Sequence, residues 1–233
     1  MPKYQNAKYF FINQEIPLLT SNYPSIKHVY PGHLGIVFIG KISTSILTRL
    51  DYYINKIFNS FFYEILFIGE LEIPPTMYEN GIRKEHNLLN QALKKVTLQP
   101  TDKLYYIINN LMKEHDFNVG LGLTNLPIYS STDENLLFLF GESNINHRCA
   151  IVSTHNLIPH FSEELGYDLK VRNRVIKEAI HEIGHIIIGL EHCLTADCVM
   201  RFSKNIEEID NKSVNLCKKC KSRLNEVRLK NNF

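Results

Sequence analysis

His181-Glu182-Ile183-Gly184-His185 gathers two imidazoles and a carboxylate within five residues. On a helix, residues four apart share one face a turn apart, so both rings can reach one metal ion. A glutamate next to the first histidine can then take a proton from a water polarised by that metal. The pattern points to a zinc hydrolase, with His181 and His185 as ligands and Glu182 as general base. Such a motif also arises by chance, so its context decides. Here it is followed by Gly189, His192, Cys193, Cys198, Met200 and the pair Cys217 and Cys220.

A catalytic zinc wants three protein ligands and an open position. If the helix simply continued, His192 would stand about 10.5 Å beyond His185 along the axis. Zinc–nitrogen bonds are about 2.0–2.1 Å, so the chain has to turn back. Gly189 can make that turn at least cost, because glycine enters the left-handed region freely and commonly ends helices there. His192 then comes round as third ligand. Cys193, Cys198, Cys217 and Cys220 offer four thiolates in two pairs, suited to a closed, structural zinc. Two zinc ions are therefore expected, and the adjacency of His192 and Cys193 should couple their sites mechanically. Cys149, within an apolar run, reads as a buried small hydrophobe.

Together these residues resemble the metzincin pattern HExxHxxGxxH followed by a Met-turn. The His-Cys step, Cys193-x4-Cys198-x-Met200 and Cys217-x2-Cys220 narrow the resemblance to the archaemetzincins. Asp133 to Glu142, Ala150 to Ser153 and Lys177-Glu178-Ala179 are similar to family segments as well. The resemblance covers residues 34–230 and is most specific after residue 170. It implies a zincin-like peptidase domain with zinc on His181, His185 and His192, Met200 as the Met-turn residue beneath it, and a second zinc on the four cysteines. One departure stands out. The family has two residues between the second histidine and the glycine, whereas this chain has three, Ile186, Ile187 and Ile188. The extra residue rotates the helix exit by about 100°. By strict counting Glu191 takes the third-ligand position, and zinc accepts carboxylates. β-Branched Ile188 would be strained in a left-handed turn, and Gly189-x2-His192-Cys193 is intact one step later. His192 is favoured, with Glu191 the alternative.

These groups need a scaffold. From Asp168 to Ile188 the pattern is helical, with Val171, Val175, Ala179, Ile183 and Ile187 on one line and Arg174, Glu178, His181 and His185 on another. Strands are expected at Leu34–Ile39, Tyr63–Ile68, Phe117–Leu123, Leu136–Phe140 and Cys149–Ser153. Helices are expected after a cap at Ser43, Thr44 or Ser45, around Leu88, Leu89, Ala92 and Val96, and from Thr101 or Asp102 to Glu114. Strands interleaved with helices indicate an α/β (α+β) layer, a mixed twisted sheet packed by helices. Residues 1–33 read as an irregular N-terminal extension. Residues 34–233 form the peptidase-like domain, with an upper part at 34–189 and a lower, cysteine-pinned part at 190–233.

At 233 residues and 44% hydrophobic content, a folded chain with a sizeable core is expected. A net charge of +2 argues against electrostatic capture of nucleic acid or membrane. Apolar runs are too short to span a bilayer, and the N-terminus lacks the marks of a secretory signal. Thiols in metal-like spacing favour a reducing, cytoplasmic setting. Basic residues of the tail, Lys218 to Lys230, read as a solvated helix face. The expected partner is a peptide or protein substrate, paired in extended form with the sheet edge near Leu136–Phe140, and the chain is expected to act as a monomer. No oxyanion-stabilising side chain can be named, since Phe202 lacks a hydroxyl. The rival readings are a catalytically silent metzincin-like binding module and a zinc-ribbon nucleic-acid binder.

Overall fold

A computed structural model of the chain describes residues 8–11, 30–73, 81–86, 94–133, 135–158 and 167–233. Gly32–Ile39 forms a strand that is buried on both faces. Leu34, Ile36 and Phe38 enter one core, while Val37 and Ile39 enter the other. A strand of this kind reads as a continuous apolar run and needs helices above and below it. In chain order the strands are β1 (Lys8–Phe11), β2 (Gly32–Ile39), β3 (Phe62–Glu72), β4 (Ile82–His86), β5 (Lys94–Pro100), β6 (Val119–Thr124), β7 (Ile128–Tyr129), β8 (Gly141–Asn144) and β9 (Cys149–Ser153). The main sheet runs β1-β3-β2-β6-β9-β8, and β4-β5-β7 make a smaller one. Pairing in the main sheet is parallel up to β9, and β8 runs antiparallel along the final edge.

Helices α1 (Leu47–Ile57) and α3 (Tyr167–Ile188) share one core with the sheet through Leu50, Ile54, Ile176, Ala179, Ile180 and Ile183. On the opposite face lies α2 (Thr101–Glu114), with Leu104, Ile107, Ile108 and Leu111 inward. Fully burying each such side chain stabilises by about 1.5–3 kcal/mol, which anchors α3 firmly against the sheet. Beyond it the chain turns into loops and two helices, α4 (Ile206–Asn211) and α5 (Lys218–Lys230). This mixed sheet packed by helices is the expected zincin-like layering. Among the described residues no helix is long and apolar enough to cross a membrane.

Several expectations need correction. Leu136–Phe140 is not a strand: Leu137 makes one isolated bridge to Tyr129, Phe138 is left-handed at φ 57°, and the strand begins at Gly141. This apolar run lines a cleft, which demands hydrophobic side chains but no ladder. Val96 lies on β5 rather than on a helix, as its β-branched neighbourhood permits; Leu88, Leu89 and Ala92 fall outside the described residues. The N-terminal segment is not wholly irregular, since Lys8–Phe11 pairs with β3 and Tyr30 enters the core. Neither expected side-chain cap is made. The helix α1 is entered through a 3-10 turn at Thr44–Ile46 with no side-chain cap, and the Asp102 N–H of α2 donates to Ser131 Oγ at 2.9 Å.

Candidate active site

Three imidazoles converge where α3 ends. The helix stops at Ile188, and Gly189, at φ +95°, reverses the chain while its N–H donates to the His185 carbonyl at 3.1 Å. That reversal brings the His192 ring within 4.8 Å (centroid to centroid) of His185 and 5.3 Å of His181. One ring nitrogen from each of the three lies within 4.8 Å of the others. The extra isoleucine is thus absorbed in the helix. Glu191 is 88% exposed at its side chain, faces Arg223 at 3.7 Å and is not part of the histidine cluster.

The hydrogen bonds of the rings decide what they can hold. His181 Nδ1 donates to the Val199 carbonyl at 2.8 Å, and His185 Nδ1 to the Gly189 carbonyl at 3.0 Å. Carbonyls only accept, so each ring carries its proton on Nδ1. The two Nε2 atoms then present lone pairs to one another across 3.0 Å. Two such acceptors repel unless a cation sits between them, and neutral imidazoles suit zinc. Burial, reinforced by His185, holds His181 well below the ordinary histidine range. Burial likewise pulls His185 down to about 4 and lowers His192, so all three are neutral at pH 7.

Glu182 lies beside this triad, and burial followed by the nearby Glu178 raises its carboxyl to about 8. Its Oε2 accepts from Ser143 Oγ at 2.9 Å. Behind it, the buried Glu178 pairs with the buried Lys212 at 2.8 Å. Arg174 grips Asp210 through Nε at 2.7 Å and Nη2 at 2.6 Å, and Lys177 donates to the Ile209 and Asp210 carbonyls at 2.8 Å. One face of α3 is therefore clamped to α4 and the residue that follows it. A cleft of about 390 Å³ opens over the triad, walled by Leu136–Phe140, Leu190 and Phe202, with Glu142, Ser143, Glu178, Ser203 and Lys204 as polar lining. The Phe202 ring meets His192 edge-on at 5.1 Å.

Four sulfurs form a second cluster. The Sγ atoms of Cys193, Cys198, Cys217 and Cys220 all lie within 4.8 Å of one another. Cys193 and Cys217 are 3.6 Å apart, and Cys198 and Cys220 3.7 Å. These separations exceed the disulfide bond of about 2.05 Å and match the edge of about 3.8 Å of a tetrahedron with 2.3 Å zinc–sulfur bonds. The N–H groups of Thr195 and Cys217 point at Cys193 Sγ and Cys198 Sγ, each at 3.4 Å, as suits thiolates. The donor set fits a closed zinc site. Both clusters lean on one strip of chain: Val199 receives His181, and the Met200 carbonyl accepts from Cys193 N–H at 2.9 Å.

Several contributors escaped the sequence reading. Ser143, Lys212 and Asp210 carry no local signal, because each meets its partner from more than thirty residues away. The tail is not wholly solvated either. Arg223 donates to the Ile188 carbonyl at 2.6 Å, closing the end of α3, and Arg228 covers Phe61 and bonds the Asn59 carbonyl.

Comparison with known proteins follows the same lines. The family model described as peptidase family M54 matches residues 29–226. The archaemetzincin of Pyrococcus furiosus is 29% identical over 191 residues, covering 82% of this chain and 91% of the relative. That of Methanopyrus kandleri is 30% identical over 188 residues, covering 79% and 90%. Among solved structures, the M. kandleri archaemetzincin superposes with a TM-score of 0.56 at 24% identity, over 85% of this chain and 96% of that one. The Archaeoglobus fulgidus archaemetzincin, crystallised with malonate, gives 0.54 at 25% identity, over 82% and 99%.

Proposed function

Because this chain belongs to peptidase family M54, the archaemetzincins, and is a zinc metallopeptidase at that level, we propose that His181, His185 and His192 hold its catalytic zinc and Glu182 serves as general base. The observation that carries this reading is the opposition of the His181 and His185 Nε2 lone pairs at 3.0 Å, with the His192 ring alongside. A zinc ion held there supplies Lewis acidity toward the scissile carbonyl and toward water. Glu182 takes the proton of the attacking water on its carboxylate and returns it to the leaving amine nitrogen. The apolar wall of Leu136–Phe140, Leu190 and Phe202 excludes water from the substrate's flank. Strand β8 is the sheet edge beside this cleft, so an extended peptide would add there rather than along Leu136–Phe140.

Cys193, Cys198, Cys217 and Cys220 would hold a second, structural zinc that fixes the loop carrying His192. Thiolates of this kind suit a reducing, cytoplasmic compartment. Residues 34–189 and 190–233 would act as the upper and lower parts of one peptidase domain, with Met200 beneath the metal. The rival reading as a silent module rested on the extra isoleucine before Gly189, and nothing in the ring geometry now favours it. The test is digestion of a peptide library by zinc-loaded protein, with metal content measured in parallel. Two zincs per chain and hydrolysis abolished in Glu182→Gln are expected. Unchanged hydrolysis in that variant would exclude the proposed base.

A further inference from the structure

We infer that Ser143 is a positioning residue for Glu182, an inference that rests on the reading of Glu182 as general base. Ser143 lies on β8, the edge strand, and its hydroxyl reaches 2.9 Å across to Glu182 Oε2 on α3. Two residues earlier on the same face of that strand, Gly141 comes up against the same side chain. A Cβ there would stand 2.9 Å from both Glu182 Cγ and Oε1, closer than real Cβ contacts come. One residue thus holds the carboxylate by donating a hydrogen bond and the other by leaving room for it. The alternation of a strand supplies this arrangement, because residues two apart point the same way.

The consequence is chemical. A glutamate side chain has three rotatable bonds, and a carboxylate free to turn would spend much of its time away from the water it must deprotonate. The Ser143 bond takes up Oε2, so the oxygen against Gly141, Oε1, is left to exchange the proton. A neutral hydroxyl fixes the side chain in place without the loss of basicity that a cationic partner would bring. β8 therefore positions the base through Gly141 and Ser143 while its outer edge borders the cleft.

The test is steady-state kinetics on the zinc-loaded Ser143→Ala and Ser143→Thr variants, with zinc content and melting temperature measured on each. Ser143→Ala is expected to lower kcat about ten- to a hundredfold, the scale of a misplaced catalytic group. KM, zinc content and melting temperature should stay near those of the parent, and Ser143→Thr, which keeps the hydroxyl, should restore most of kcat. Gly141→Ala, which crowds Glu182 without touching the hydroxyl, should also lower kcat. A Ser143→Ala kcat within twofold of the parent overturns the inference, and so does a loss carried by KM, by zinc or by melting temperature. Glu182→Gln separates the two levels. An active Glu182→Gln removes the base itself, whereas an inactive Glu182→Gln beside a fully active Ser143→Ala removes only the role of Ser143.

Discussion

Met200 lies with its thioether against the backbone of Gly184, so close that a Cβ on Gly184 would stand 2.3 Å from the sulfur. The small residue inside the His181–His185 turn is therefore matched to a methionine sixteen residues on. This contact joins the helix that carries two of the rings to the strip, Val199 and Met200, that orients one of them.

Gly184→Ala should push Met200 away and shift the Val199 carbonyl off His181. Overpacking of this kind costs about 1–3 kcal/mol, so a lower melting temperature and weaker zinc retention under chelator titration are expected. The paired variant Gly184→Ala with Met200→Ala should recover part of both. No recovery would mean that the contact is not the cause.

His192→Ala and Glu191→Ala discriminate the two possible third ligands. Zinc analysis by mass spectrometry should show His192→Ala losing catalytic zinc affinity and all activity, while Glu191→Ala keeps both. The reverse result would place the carboxylate, now exposed and facing Arg223, on the metal.

Removing Lys212 should destabilise the fold strongly, because Glu178 would be left charged and buried without its partner. Breaking a buried pair from one side costs about 3–5 kcal/mol. Lys212→Met is thus expected to lower the denaturant midpoint at fixed zinc concentration, and Lys212→Met with Glu178→Leu to lose much less. A single-variant loss below about 1 kcal/mol would show that water already reaches the pair.

Thiol chemistry should separate Cys149 from the other four cysteines. Burial pushes its thiol up to about 12, so it resists alkylation at pH 8 in the folded protein, whereas the four-cysteine cluster reacts once a chelator removes its metal. The folded-state value is raised, so the stability contribution of the protonated thiol is present below the unfolded value of about 8.5. It is lost as pH climbs toward 12, by up to about 1.4 kcal/mol per pH unit. Cys149→Ala should flatten that alkaline decline in denaturation curves. An equal slope in both proteins would count against it.

Much of the site could be read in advance because its parts are close together in the chain. The spacing of His181 and His185 and the need for a reversal at Gly189 follow from helix geometry alone, and α3 spans nearly the expected residues. The buried strands β2, β6 and β9 announced themselves as apolar runs. Leu136–Phe140 misled for the same reason: a cleft wall and a strand core ask for similar side chains, and composition cannot tell them apart.

The amino-acid sequence by itself determined the chemistry of the donors, the helix that presents two of them and the glycine that ends it, since each depends on contacts within a turn or two. Only the tertiary structure decided which of His192 and Glu191 swings toward the rings, that β8 brings Gly141 and Ser143 against Glu182, and that Lys212 closes on Glu178. Those outcomes depend on where distant segments meet once both cores are packed, and burial rather than local spacing sets that meeting.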